Sequence, residues 1–141
     1  MNRVHPPGCE LNELTGSRFT RRGQVIGMRG AAGVAANTPE AIMAATREML
    51  EELVLRNGLD RSDVAAAFFT LTPDLNAAFP AAAARAMGWT DVPLMCAQEI
   101  PVPGAPPSIV RVLLLVNRNG PATHVYLGRA KALRPDLAAG E

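Results

Sequence analysis

The sequence predicts an α+β domain, with a mixed five-strand sheet and two helices on one face of that sheet. Two observations lead to this prediction. Segments of strand length and helical segments follow one another in the order β-α-β-α-β-β-β. The chain of 141 residues is also long enough for one domain with a buried core, and too short for several.

The first strand and the first helix have clear boundary signals. Residues 24–30 form a short apolar segment with two glycines, typical of a strand whose backbone runs close to a neighbour. Thr38 is a suitable N-cap, Pro39 fits the first helical position, and Glu40 favours the positive end of the helix. Apolar residues then recur at helical spacing, at Ile42, Ala45, Met49, Leu53 and Val54. With Gly58 as its stop signal, the predicted helix has about 19 residues.

The middle of the chain predicts a second strand and a shorter helix. Residues 64–72 are apolar and contain two phenylalanines, which favours a buried strand. The dipeptide Phe79-Pro80 opens a second helix, four alanines at 81–84 favour its continuation, and Gly88 ends it.

Three strands complete the sheet. Residues 92–97 predict a short strand, and residues 101–107, which contain four prolines and a glycine, predict a loop. A strongly apolar strand follows at 109–116, then a turn at 117–121, and the last strand lies at 123–127.

Composition and charge exclude several classes of protein. The chain has 14 basic and 13 acidic residues, so it lacks the basic excess of a dedicated nucleic-acid binder. Hydrophobic residues make up 48% of the chain, which excludes a disordered protein. Proline, glycine and polar residues interrupt the apolar segments, so no membrane span is expected.

The chain divides into two regions. Residues 1–24 have little apolar periodicity and a net charge of +2, whereas residues 25–141 have a net charge of −1. We interpret 1–24 as a flexible N-terminal extension and 25–141 as the folded domain. The spacing of two cysteines and two histidines matches no metal-ligand pattern, so we expect no metal. Two cysteines without a secretory signal predict a cytoplasmic location.

The predicted sheet has a second face to cover. Two helices can cover only one face, yet the strands at 64–71 and 109–116 are apolar on both. We therefore expect the other face to be buried against further copies of the chain in a symmetric homo-oligomer.

Two strand arginines are candidates for binding an anion. Arg111 interrupts an apolar strand, and Arg29 lies near the end of the first strand. A guanidinium on a rigid strand would be a preorganised positive group. The alternatives are a solvated strand position for either residue or a structural ion pair for Arg111.

Three further residues have plausible chemistry and ordinary alternatives. Glu99 lies where a strand gives way to a loop, a position where a carboxylate is usually solvated. Tyr126, the only tyrosine, is compatible with a core role, and Arg85 with an exposed helix position. The chain contains no G-x-S-x-G nucleophile motif, P-loop or dinucleotide fingerprint.

Several sequence blocks taken together are more specific than these positions. They are GMRGA at 27–31, TPDL at 72–75, FPA at 79–81, GW at 88–89, VPL at 92–94, CAQE at 96–99, IVRV at 109–112, HVYL at 124–127 and LRPDL at 133–137. In this order and spacing they resemble the AroH-class (monofunctional) chorismate mutases. The resemblance covers about residues 25–137.

The resemblance implies a homotrimer, a pseudo-α/β-barrel whose three active sites lie between neighbouring subunits. It also implies the rearrangement of chorismate to prephenate in phenylalanine and tyrosine biosynthesis, without a cofactor, a nucleic acid or a membrane. Two other functions remain open at this point. One is a non-catalytic trimeric sensor of an anionic metabolite, and the other is a small trimeric deaminase-type enzyme, for which no motif is present.

The resemblance assigns roles to five residues. Arg111 matches the arginine beside the breaking ether bond, and Arg29 matches the arginine that holds a substrate carboxylate. Tyr126 matches a tyrosine that hydrogen-bonds a carboxylate. Glu99 matches the glutamate that accepts from the ring hydroxyl, and Cys96 matches the cysteine near that hydroxyl.

The same resemblance defines the pocket lining. The matching positions are Phe79, Ala81, Arg85, Leu94, Met95 and Leu133, of which the first three would come from the adjacent subunit. Two positions depart from the family pattern. Ala82 replaces a lysine of some relatives and Thr123 replaces a common arginine, so both departures remove positive charge near the pocket mouth.

Overall fold

The computed structural model of the chain describes residues 24–138. The strands are β1 (Val25–Gly33), β2 (Val64–Leu71), β3 (Leu94–Gln98), β4 (Ile109–Asn117) and β5 (Val125–Leu127), and the helices are α1 (Pro39–Asn57), α2 (Ala81–Ala86) and α3 (Pro135–Ala138). Short 3-10 turns occupy Arg61–Asp63 and Gly128–Leu133. The extension that we expect at 1–24 lies, except for its last residue, outside the described residues.

The five strands form one mixed sheet in the order β3-β2-β4-β1-β5. The central strand β4 is antiparallel to both of its neighbours, β2 and β1. The two outer pairs, β2 with β3 and β1 with β5, are parallel. The predicted fold class and the predicted order of the seven main elements are confirmed.

Helix α1 begins and ends where its sequence signals predict. The Thr38 hydroxyl accepts a hydrogen bond from the Ala41 amide at 3.1 Å, which satisfies one of the amides that a helix start leaves without a partner. At the other end Gly58 adopts a left-handed conformation, with φ of 54°, and its amide donates back to the last turn. Helix α1 packs on the sheet and on α2, so both predicted helices lie on one face of the sheet, which we call the inner face.

Gly30 allows α1 to approach β1 closely. A Cβ atom at Gly30 would lie 2.8 Å from Leu53 Cδ1, 2.9 Å from Met49 Cγ and 3.0 Å from Val112 Cγ1. All three neighbours are buried, so they have little room to move aside. The glycine that the sequence marks as a close approach is therefore a packing requirement of the inner face.

We expect Gly30→Ala to lower the free energy of unfolding by about 1–3 kcal/mol, because the added methyl overpacks this contact. Gly27→Ala is the matched control, since its Cβ would meet only Leu113 Cδ1, at 3.4 Å. Chemical denaturation at one protein concentration measures both variants. Equal stability of the two variants would contradict the packing requirement.

The opposite, outer face of the sheet is partly bare. Met95, Phe68 and Leu113 lie side by side across β3, β2 and β4, and they are 60%, 37% and 40% exposed. Val25 on β1 adds a further exposed apolar side chain. The single chain thus leaves an apolar strip of the sheet uncovered, as the strand patterns predict.

The structure differs from the sequence prediction at the strand ends and the C-terminus. β1 extends to Gly33, β3 begins at Leu94 and β5 begins at Val125. β5 starts late because the backbone of Thr123 bonds to the Asn57 side chain instead of a neighbouring strand, with distances of 2.8 and 2.9 Å. The 3-10 turn Gly128–Leu133 and α3 were not predicted, and they pack on the outer face near β5.

Candidate active site

One row of residues crosses the outer face of the sheet. The strand registers align Ala97 of β3, Thr70 of β2, Arg111 of β4, Ala31 of β1 and Tyr126 of β5. Neighbouring strands are about 4.8 Å apart, so Arg111 and Tyr126 are separated by roughly 10 Å across Ala31. Two of the residues proposed from the sequence are thereby placed on the same face.

Arg111 forms an ion pair with Glu99 on this face. Its Nε lies 2.7 Å from Glu99 Oε1, and the Thr70 hydroxyl donates to the same oxygen at 3.1 Å. Glu99 comes just after β3, where its amide donates to the Leu71 carbonyl at 2.9 Å and so extends the pairing with β2. The backbone of both partners is therefore fixed by the sheet.

The ion pair orients Arg111 more than it stabilises the fold. The Arg111 and Glu99 side chains are 45% and 19% exposed, and a pair this open contributes about 0–1 kcal/mol. The structural ion pair that remained open for Arg111 is thus present, and it is compatible with a binding role. It holds the guanidinium at a set angle on an accessible face.

Arg29 lies diagonally across from Arg111 on the same face. Arg111 is in register with Ala31, two residues along β1 from Arg29, and diagonal neighbours on adjacent strands have Cα atoms about 7–8 Å apart. The Arg29 amide donates to Nδ1 of His124 at 3.0 Å. Two exposed arginines therefore lie near each other on neighbouring strands.

Tyr126 lies under the C-terminal segment. It is 5% exposed and packs with Ala31, Ile109 and Ala130, and Leu133 lies against this small cluster. The Asp136 carboxylate and, to a smaller extent, Tyr126 raise the pKa of Arg134, which lies just before α3. The unpredicted C-terminal elements therefore help to hold the tyrosine and bring Leu133 to the same edge of the sheet.

The environment of His124 disfavours its protonation. Burial, and then the positive charges of Arg29 and Arg134, lower the pKa of His124 below its ordinary value of 6.5. Because the folded-state pKa is lowered, the neutral imidazole favours the native chain above about pH 6.5, and this contribution is lost as the pH falls.

Five of the remaining proposed residues gather on the inner side of β3, whereas Met95 lies on the outer face. Leu94 and Cys96 alternate with Met95, and they face the inner side of the sheet, where they pack against the main core. With Phe79, Ala81 and Arg85 they line a cleft of about 310 Å³.

The two groups of candidate residues are therefore apart within one chain. Arg111, Glu99, Arg29 and Tyr126 share the outer face, whereas the cleft lies at the inner side of the edge strand β3. Cys96 and Glu99, which the resemblance places near one hydroxyl, lie on opposite sides of the sheet by strand alternation.

Sequence reasoning missed three residues that support these groups. Thr70 bonds Glu99, and His124 bonds the Arg29 amide. Asn37 accepts from the amides of Asn76 and Ala77, both at 3.0 Å, and so holds the loop that leads to the cleft. A threonine within an apolar strand was a usable signal, whereas the other two contacts depend on tertiary structure.

Two negative observations apply to residues 24–138. Over this range no three His, Cys, Asp or Glu side chains gather closely enough to hold a metal ion. None of the helices found there has the length and hydropathy to cross a membrane.

Comparison with known proteins identifies the family. The family model "Chorismate mutase type I" matches residues 25–137. A chorismate mutase from Thermus thermophilus is 49% identical over 121 residues, which is 83% of this chain and 99% of the relative. A second from Bacillus subtilis is 40% identical over 118 residues, or 81% of this chain and 93% of the relative.

A solved structure agrees with these matches. The chorismate mutase from Clostridium thermocellum superposes with a TM-score of 0.74 at 45% sequence identity, and the match covers 76% of this chain and 98% of that chain. The family model covers well over half of the chain, and the matched relatives are covered almost completely. This chain therefore belongs to the type I chorismate mutase family.

Proposed function

We propose that this chain rearranges chorismate to prephenate in a homotrimer, at sites shared between neighbouring subunits. The observation that most directly supports the chemistry is the Arg111–Glu99 pair, held by two strands on an open face that also bears Arg29. Chorismate is a dicarboxylate with a ring hydroxyl, so it needs separate positive donors and a hydroxyl acceptor. The outer face provides both kinds of group.

The reaction is internal to one molecule. One ether C–O bond breaks and one C–C bond forms, so no proton, electron or second reactant is required. Negative charge grows on the ether oxygen as the bond breaks, and we assign Arg111 to that oxygen. We assign Glu99 to the ring hydroxyl, and Arg29 with Tyr126 to a substrate carboxylate.

The required lowering of the reaction barrier is shared between orientation of the substrate and electrostatic stabilisation. An acceleration of roughly 10⁶-fold needs about 8 kcal/mol. One well-placed donor to a developing anion supplies roughly 3–4 kcal/mol. Holding chorismate in its compact conformer must therefore provide much of the remainder, and this is the role of the carboxylate ligands.

The inner-side cleft completes the proposed site from a neighbouring copy. Phe79, Ala81 and Arg85 lie across the sheet from Arg111, so one chain does not bring them together. The edge strand β3 lies near the contact that a neighbouring copy would make, because Met95 belongs to the exposed apolar strip. The same strand carries Leu94 and Cys96. A second copy packed on that strip would bring the two groups close.

The direct test is to incubate the purified protein with chorismate and to follow the appearance of prephenate. Stoichiometric conversion without added metal or cofactor is the expected result. Saturable binding without conversion would instead favour a sensor of an anionic metabolite. We also propose a cytoplasmic location, since a chain with only two cysteines suits a reducing compartment.

We expect Phe68→Glu to abolish both trimer formation and activity, because it places a charge at the centre of the apolar strip. Light scattering at micromolar concentration measures the assembly. Leu55→Glu is the matched control, since Leu55 is an equally apolar and more exposed residue on α1. A Phe68→Glu protein that stays trimeric would contradict the proposed interface.

A further inference from the structure

His124 joins the two strands that bear the proposed carboxylate ligands. The parallel ladder between β1 and β5 pairs Gly30 with Val125 and Ala31 with Tyr126. One position earlier, the Arg29 amide donates to Nδ1 of His124 at 3.0 Å. The imidazole thus bonds a β1 amide just beyond the start of the ladder between the two strands.

This bond matters because β5 is a short edge strand. It comprises only Val125–Leu127, and it is hydrogen-bonded to β1 alone. Its start is fixed from two directions: Asn57 holds the backbone of Thr123 to α1, and His124 holds the strand to β1. Tyr126 follows two residues after His124, so a shift at the start of β5 would move it.

The bond also requires one protonation state. A nitrogen that accepts from an amide must have a free lone pair, so the imidazole is neutral and its proton is on Nε2. The charged groups acting on the ring are Arg29 on β1 and Arg134 before α3, both positive. Arg134 is in turn engaged by Asp136, with distances of 2.8 and 3.0 Å.

We propose that His124 is a positioning residue, whose neutral imidazole aligns Arg29 and Tyr126 by tying the start of β5 to the backbone of β1. The inference rests on the proposed function, because it assumes that Arg29 and Tyr126 bind a substrate carboxylate. His124 touches neither the substrate nor the reacting bonds in this scheme. Its effect is on the geometry of the two residues that do bind.

Two variants separate the hydrogen bond from the rest of the side chain. We expect His124→Ala to raise KM and lower kcat/KM by roughly fivefold to tenfold, the usual effect of losing one hydrogen bond, with a smaller change in kcat. His124→Asn should restore kcat/KM to within roughly twofold, because its Oδ1 can accept from the same amide and does not titrate.

The pH dependence of kcat/KM is a measurement that a purely structural role of His124 would leave unchanged. As the pH falls from about 8 through and below 6.5, the wild-type kcat/KM should fall relative to the His124→Asn value as the imidazole is protonated. Over the same range the Arg29 amide NMR signal should shift in the wild type and not in the variant. Coincident pH profiles, or an Arg29 signal that is unaffected by His124, would overturn the proposal.

These measurements also distinguish a failure of the proposed function from a failure of the proposed role of His124. A wild-type protein that does not convert chorismate overturns the proposed function, and the Arg29 amide titration then decides the role of His124 alone. An active wild type whose His124→Ala variant is unchanged in KM and kcat overturns the positioning role and leaves the proposed function standing.

Discussion

Replacing Arg111 with alanine is expected to lower kcat by roughly 10²- to 10³-fold, because it removes the positive donor that we propose for the oxygen that becomes anionic. The fold should tolerate the change, since the Arg111 side chain is 45% exposed and its ion pair adds little stability. Steady-state kinetics on chorismate and light scattering of the same samples measure the two effects together.

Two further variants show whether the loss of activity is specific to the Arg111 guanidinium. Arg111→Lys keeps the charge but loses the planar group whose Nε bonds Glu99, so we expect only partial activity. Arg47→Ala removes another arginine in an ion pair, with Glu51 at 2.8 Å on the exposed surface of α1, and should leave kcat unchanged. Turnover of Arg111→Ala within a few fold of the wild type would show that the role is wrongly assigned.

Arg29→Ala should have its main effect on substrate capture. A charge-assisted hydrogen bond to a carboxylate is worth enough to lower kcat/KM by roughly tenfold to a hundredfold when it is lost. The backbone amide that bonds His124 remains in the variant, so the substitution tests the guanidinium alone. Kinetics and equilibrium binding of chorismate provide the measurement.

The outcome for Arg29 differs in kind from that for Arg111. Arg29 is proposed to bind a group that is charged before and during the reaction, so its loss should raise KM more than it lowers kcat. Unchanged capture of chorismate by Arg29→Ala would exclude the carboxylate role. A loss confined to kcat would instead place Arg29 beside the reacting bonds.

Local sequence signals were sufficient for the seven main elements but not for the pairing of the strands. Thr38 and Gly58 define α1 through contacts within a few residues, and both ends agree with the structure. The C-terminal turn and α3 had no such signal, because they are short and are stabilised by packing on Ala31 and Tyr126. Sequence periodicity and capping residues therefore predict the elements whose ends are set by contacts within a few residues.

The candidate site shows the same limit more sharply. Arg111 could be singled out because a charge inside an apolar strand is unusual. Its alignment with Thr70 and Tyr126 required the strand order, which alternation alone does not determine. The separation of Cys96 from Glu99 follows from the alternation of a strand whose pairing continues to Glu99, beyond the predicted end at residue 97.

The hydrogen bond between Arg29 and His124 closes the longest loop of the candidate site, since its partners are 95 positions apart in the chain. Contacts between distant parts of a chain form only after the intervening segments have become ordered, so the β1–β5 edge should be a late event in folding. By the same reasoning it should be among the first parts of the sheet to open. The residues proposed to bind the substrate thus lie at the edge of the sheet that we expect to open first.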